Sequence, residues 1–357
     1  MKTRLLASAL LLTSHIASAQ DPVATPSKAE AGKLLKADKV SKGGNISRLA
    51  ITSCNVLFAN ETGANAETQR GFGDSTAQRV EARIDASYTL QGMDPAALQA
   101  LAEQVCADAS TQLAASGYTM VPATEVAAHP EFARLHAKGK PVPYAYERQG
   151  TQYTNYAPPG EQVIDLNYLS TRDVFGAAFS AMSTTENPAF IEGKLLNDLQ
   201  ASGAHINVMV DFAKPKSNSV KGFFGKIAGN DTAKVEAKMQ LSISGLITLI
   251  PLEHIDCSSG YCLGANDASK TPRFTSKEPL LSGENAVLEV VDIQSKGEKA
   301  GELAVNAMAT VIALSGYSSA TTSIERNGVV VDPAIYQTEV RRMAREFVGM
   351  AAVLAKP

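Results

Sequence analysis

Residues 235–250 read VEAKMQLSISGLITLI, and they decide the second half of the fold. Val235, Ala237, Met239, Leu241 and Ile243 alternate with Glu236, Lys238, Gln240, Ser242 and Ser244. That period of two sends successive side chains to opposite faces of a strand. The phase breaks at Gly245, as at a bulge, and beyond it both faces are apolar through Ile250. One long strand is therefore expected, half exposed at its start and covered at its end. HINVMVDF (205–212) precedes it as a second strand, and the basic stretch KPKSNSVKGFFGK (214–226) reads as the loop between them.

Further strands fit AVLEVVDI (286–293) and ELAVNAMATVIAL (302–314), and Asn327-Gly328 supplies a hairpin turn between SIER and VVV. In the first half, SRLAITSCNVLFA (47–59) and VEARIDASYTL (80–90) read as strands, with a polar loop at 60–75. Asp94-Pro95, Asn187-Pro188 and Asp332-Pro333 each set a capping side chain before a proline at the first helical position. There the N–H that proline lacks would have had no partner anyway. The first of these helices stops at Gly117 and the second at Gly203. TEVAAHPEFARLH (124–136) reads as another helix, and a shorter one is capped near Ser170. The last helix carries Tyr336, Val340, Met343, Phe347, Met350 and Leu354 at spacings of three and four. Such a seam docks a terminal helix on its own sheet; the alternative is a homo-oligomer paired through it. The sum is a mixed α+β, α/β fold. It has a sheet with flanking helices in the first half, longer antiparallel strands in the second and a C-terminal docking helix.

The start of the chain points to export. Lys2 and Arg4, the apolar run LLASALLL (5–12) and the small residues Ala17-Ser18-Ala19 have the form of a cleaved signal peptide over 1–19. That run falls short of the roughly 20 residues a membrane span requires. No cysteine follows it to carry a lipid, so a periplasmic or secreted protein is expected. Residues 20–46, rich in Ala, Lys, Pro and Ser, read as a flexible lead-in, with an amphipathic helix over 28–41 as the alternative. Residues 47–357 then form a single mixed α/β domain, any subdivision falling near 213–232. The net charge of −3 offers no electrostatic footprint for nucleic acid.

CSSGYC (257–262) holds two of the four cysteines. In an oxidising compartment an even count implies disulfides, and spacing favours Cys257–Cys262 and Cys54–Cys106. A redox pair would sit at a helix N-terminus, and a zinc site built on His254, Asp256 and these thiols would have to escape oxidation. Neither is expected.

The order of elements carries a resemblance. A strand at 47–59, a capped helix, the short strand GYTMVP (117–122) and the helix at 124–136 come first. The GAHINVMVDF strand (203–212), long paired strands and a closing helix follow. Over residues 47–355 this order resembles the periplasmic α/β domain of the curli-secretion lipoprotein family, with GAHINVMVDF as its local echo. The resemblance implies an envelope-assembly protein. The chain departs from that family in lacking the lipid-bearing cysteine and in its four other cysteines, and no functional residue carries over.

Catalytic constellations are scarce. GFGDS (71–75) resembles the nucleophile block of GDS-type esterases, but no histidine follows His254 to act as the C-terminal base. His129 and His136 would lie about 10 Å apart along a helix, too far to share a metal. Glu147, Glu161 and Asp165 are near one another in sequence with nothing to set their separation. No catalytic residue, metal or cofactor is therefore expected. Tyr144, Tyr146, Tyr153 and Tyr156 cluster within PVPYAYERQGTQYTNYAPPG (141–160), and tyrosine suits protein and glycan surfaces. The reading is an exported, non-catalytic binding or assembly component of the bacterial cell envelope, its partner an envelope protein or a glycan touched by these tyrosines. The alternative is an exported hydrolase assembled from scattered Asp, Glu, His and Ser, in which His205 or His254 meets a carboxylate and a hydroxyl.

Overall fold

The computed structural model describes residues 26–67, 80–148, 150–164, 187–218, 234–258, 262, 270–295, 298–299 and 319–356. In chain order these form α1 (Lys28–Leu34), β1 (Leu35–Asp38), β2 (Arg48–Glu67), β3 (Val80–Gln91), α2 (Pro95–Ala115) and β4 (Thr119–Met120). Then come α3 (Ala123–Ala128), α4 (Pro130–His136), β5 (Tyr144–Arg148), β6 (Thr151–Tyr156) and α5 (Pro188–Leu199). The second half holds β7 (Ser202–Asn218), β8 (Lys234–Ile250), β9 (Arg273–Ser276), β10 (Leu280–Leu281), β11 (Val287–Asp292), β12 (Ser319–Val331) and α6 (Pro333–Ala355). The GFGDS block, the helix near Ser170, ELAVNAMATVIAL and residues 219–233 lie outside the described residues.

All the described strands join one mixed sheet, whose main path runs β1-β9-β8-β7-β2-β3-β12-β11. β7 and β8 form the expected long antiparallel pair, from Gly203↔Ile250 to Asn218↔Lys234, so one sheet runs through 213–218 and 234–239. The proline-preceded caps also form: Asp94, Asn187 and Asp332 each accept a backbone N–H from the first helical turn.

Four local expectations yield to tertiary context. Gly245 pairs regularly with Val208, and the break in register falls instead between Asp211 and Ala213. The glycine is there for close approach, since a Cβ would stand 2.8 Å from the Phe347 ring of α6. β12 runs straight through Asn327-Gly328, parallel to β3 on one edge and antiparallel to β11 on the other. A hairpin there would forfeit both ladders. The helix expected over 124–136 breaks at His129-Pro130, where proline excludes a continuing N–H bond and His129 Nδ1 caps Glu131 N. Where the composition suggests a flexible lead-in, Ser27 closes a capping box on α1, and β1 pairs with β9.

Alternation divides the sheet into two faces. One shows Cys54, Val56 and Phe58 of β2, Ile206, Val208, Val210 and Phe212 of β7, and Ile243 and Ile247 of β8, in one core with α2 and α6. Phe58, Phe212, Phe274 and Phe347 are fully buried there, each contributing roughly 1.5–3 kcal/mol by leaving water. The α6 seam from Tyr336 to Met350 is spent on this core. Cys54–Cys106 bonds β2 to α2, and Arg341 grips Asp108 through two bonds of 2.7 and 2.9 Å, tying α6 to α2. On the opposite face, α3, α4 and α5 cover only the end around Ala50 and Ile250, through Val126, Phe132, Leu135, Ile191 and Leu195.

Candidate functional site

Beyond the cover of α3, α4 and α5, the second face turns polar. Ser53 and Asn55 of β2 and His205, Asn207 and Asp211 of β7 stand at positions where a doubly covered strand would be apolar. The pattern starts at a bulge, where Ile51 pairs with Ala204 and Ser53 with His205, leaving Thr52 as the extra residue.

The other edge of β2 explains a buried histidine and a half-buried carboxyl. β4 pairs there only at Arg48 and Leu49, and β6 begins only at Val56. Between them, side chains take the place of a strand. His136 donates from Nε2 to the Thr52 carbonyl at 3.0 Å, while its Nδ1 accepts from Gln162 N at 2.8 Å. The Cys54 N–H donates to Glu161 Oε2 at 3.0 Å. Burial holds His136 below its usual value, so the ring stays neutral in this arrangement. Burial also lifts the Glu161 carboxyl to about 7, opposed by the Cys54 N–H and by nearby His205.

Glu192 reaches down from α5 into the same cluster. Its Oε1 accepts from the Thr52 hydroxyl and lies against His205 Nε2, both at 2.6 Å. Thr52, Glu192 and His205 are all buried. Hydroxyl and imidazole converge on one carboxylate oxygen, which braces α5 on the bulge.

Further along the same face a cavity of about 440 Å³ opens. Its lining includes the hydroxyls of Thr62, Thr151, Tyr153, Ser242, Ser244 and Ser276 and the charges of Arg148, Asp211, Lys214, Lys277 and Glu278. Tyr153 donates to Asp211 Oδ1 at 2.7 Å, and Arg148 Nη1 to Met209 Sδ at 3.3 Å. Burial raises the Asp211 carboxyl above its ordinary range, opposed by the Tyr153 hydroxyl and by Arg148 and Lys214. Burial raises the Tyr153 phenol as well, with Asp211 adding to the shift.

The four singled-out tyrosines thus occupy the β5–β6 hairpin in different ways. Tyr153 and Tyr156 are buried, Tyr156 edge-on to Phe58, and only Tyr153 lines the cavity. Tyr144 and Tyr146 are half-buried against the core. The cysteines pair as Cys54–Cys106 and Cys257–Cys262. His254 turns away from the latter pair, its Nε2 against the Lys42 carbonyl at 2.6 Å. Of the three acidic residues near one another in sequence, Glu161 bonds the Cys54 N–H at the β2 edge, Glu147 is exposed on β5, and Asp165 lies outside the described residues. Thr52, Glu192 and Asp211 were missed. One available signal was the alternate-position row His205, Asn207 and Asp211 within an otherwise apolar strand.

Compared with protein-family models, curated proteins and solved structures, the chain matches none.

Proposed function

We propose that the protein is an exported, non-catalytic binding component of the bacterial cell envelope, periplasmic or secreted after removal of residues 1–19. Its ligand or partner enters the cavity beside Tyr153 and Asp211. The two disulfides and the leader-like start support export, and no helix among the described residues is long and apolar enough to cross a membrane. The element order that resembles the curli-secretion family supports an envelope role. One observation carries the binding reading: the cavity wall is built from hydroxyls around an Asp211 already engaged by Tyr153.

The hydrolase reading asks for His205 joined to a carboxylate and a hydroxyl, and the three do meet. Yet Thr52 donates to the Glu192 carboxylate rather than to the imidazole, so the hydroxyl–imidazole–carboxylate order of a relay is not formed, and all three side chains are buried. The geometry favours binding. The test is made on protein recovered from osmotic-shock fluid or culture medium. A chain beginning at Gln20, with all four cysteines closed to alkylation, is the expected result. An uncleaved cytoplasmic chain with reactive thiols would overturn the proposal.

A further inference from the structure

The two disulfides stand in opposite settings. Cys54 and Cys106 are 1 % and 6 % exposed, and they bond β2 to α2 inside the main core across a sequence separation of 52. Cys257–Cys262 spans a separation of 5 beyond the end of β8, and Cys257 is half-buried between the exposed Asp256 and Ser258. A bond that closes a short loop removes less freedom from the unfolded chain than one that closes a long loop. A thiol also reaches an outlying bridge more readily than one in the core. The short bridge is therefore the one open to exchange. Its other end touches α5. A Cβ on Gly193 would stand 2.6 Å from the Cys262 carbonyl oxygen and 2.9 Å from Cys262 Cβ, so glycine lets the bridged loop lie against the helix. Ile255, on the approach to the bridge, packs in the same apolar cluster as Ile191 and Leu195. Glu192, the residue before Gly193, receives the Thr52 hydroxyl and meets His205. The bridge thus presses on α5 one residue away from the group that braces α5 on the sheet.

We propose that Cys257–Cys262 is a thiol–disulfide exchange site, opened by a dithiol, whose state sets how firmly α5 holds Glu192 against Thr52 and His205. The bridge is the target of the exchange, and the dithiol is the reductant. One thiolate of the dithiol attacks Cys257 Sγ, the protein S–S bond breaks, and Cys262 leaves as a thiolate that takes up a proton. The second thiolate of the dithiol then attacks its partner sulfur in the mixed disulfide. That closes a disulfide within the reductant and releases Cys257, which is protonated in turn. Two electrons pass to the protein, and two protons balance them. With the bond gone, Cys262 is no longer fixed over Gly193. The helix loses a lateral support while Ile191 and Leu195 stay seated on the sheet, so α5 loosens rather than unfolds. The proposal goes beyond the binding reading and holds whatever the cavity takes.

Titration of the oxidised, full mature protein with dithiothreitol tests this, the cysteines being alkylated and mapped and backbone hydrogen exchange read at each step. Cys257 and Cys262 should become alkylated at a dithiol concentration about tenfold or more below that needed for Cys54 and Cys106. In the half-reduced protein the α5 amides should exchange about tenfold faster, while those of residues 206–210 on β7 stay unchanged. The His205 ring resonances should shift at the same step, and glutathione disulfide should restore all three readings. A variant carrying Cys257→Ser and Cys262→Ser should show the loosened α5 without any dithiol. Opening of both bridges at one dithiol concentration, or of Cys54–Cys106 first, would overturn the assignment. So would α5 exchange and His205 resonances that ignore the open bond, the result expected of a staple that pins only its own loop. Should the double variant fail to fold, the titration of the native protein decides by itself. Four free thiols in the protein as recovered from cells remove the export reading instead. The oxidised protein is then prepared with glutathione disulfide and titrated in the same way, so the two failures stay distinct.

Discussion

On β7, Ile206, Val208, Val210 and Phe212 share a core with α2 and α6, while His205, Asn207 and Asp211 on the alternate positions face a polar cluster and an open cavity. The same backbone thus serves two environments. The apolar face is closed by long helices, a disulfide and the bidentate Asp108–Arg341 pair. Among the described residues the polar face is covered by α3, α4 and α5 at one end; burial raises its Asp211 carboxyl, and at the adjoining β2 edge it raises Glu161 and lowers His136. The difference teaches that desolvation sets the shifted groups of the polar face and the β2 edge, whereas on the apolar side Glu339 of α6 is held down to about 2 chiefly by its bond to Arg342.

The largest expected effect lies on the apolar face. Phe347 is fully buried against Gly245, and Phe347→Ala should cost about 4 kcal/mol in urea unfolding, nearly equally at pH 5 and pH 8. A loss below about 1 kcal/mol would mean that α6 contributes little and would break the contrast.

Glu161 sharpens it from the other side. Its folded pKa is raised from 4.5 to about 7, so between those values the folded state keeps a proton that the unfolded state has released. The favourable contribution is complete below about pH 4.5 and is lost as pH rises through about 7, an order of roughly 3 kcal/mol. Glu161→Gln cannot ionise, so its stability relative to the native chain should climb across that window. A flat difference between the two proteins from pH 4.5 to 8 would remove Glu161 from the account. His136, held neutral, favours higher pH, which is why the comparison must be made against the Gln variant rather than read from the native curve alone.

Tyr153→Phe should be milder. It leaves the half-buried Asp211 without its 2.7 Å donor, costing about 2 kcal/mol and raising the Asp211 carboxyl further. NMR titration of that carboxyl would show the rise, and its absence would uncouple the pair. The smallest effect belongs on the solvent side of α5. Lys194 and Asp198 form an exposed i,i+4 pair, and Lys194→Met should change stability by no more than about 0.5 kcal/mol. A larger loss would show that α5 depends on its outer surface as well as on Glu192.

Much of the scaffold was legible because its signals are local. The three Asx-Pro caps, the β7–β8 alternation and the α6 seam each act over a few residues, and the structure carries all of them. The site was less legible because its members are far apart in sequence: Thr52 and Glu192 are separated by 140 residues, Cys54 and Glu161 by 107. Asn327-Gly328 marks the limit from the other direction. A strong turn signal gave way once strands arrived on both of its edges.

By itself, then, the sequence determined the mixed α/β class, the long strands, the capped helices and the cysteine pairs that spacing favours. Periodicity, capping and short loop closure are decided by neighbours along the chain. Only the tertiary structure decided that a bulge at Thr52 and a gap between β4 and β6 would call His136 and Glu161 into the place of a strand. It alone set Tyr153 against Asp211. Buried polar groups are satisfied by whatever the fold brings within hydrogen-bond reach, and that is a property of the packed sheet rather than of any segment in it.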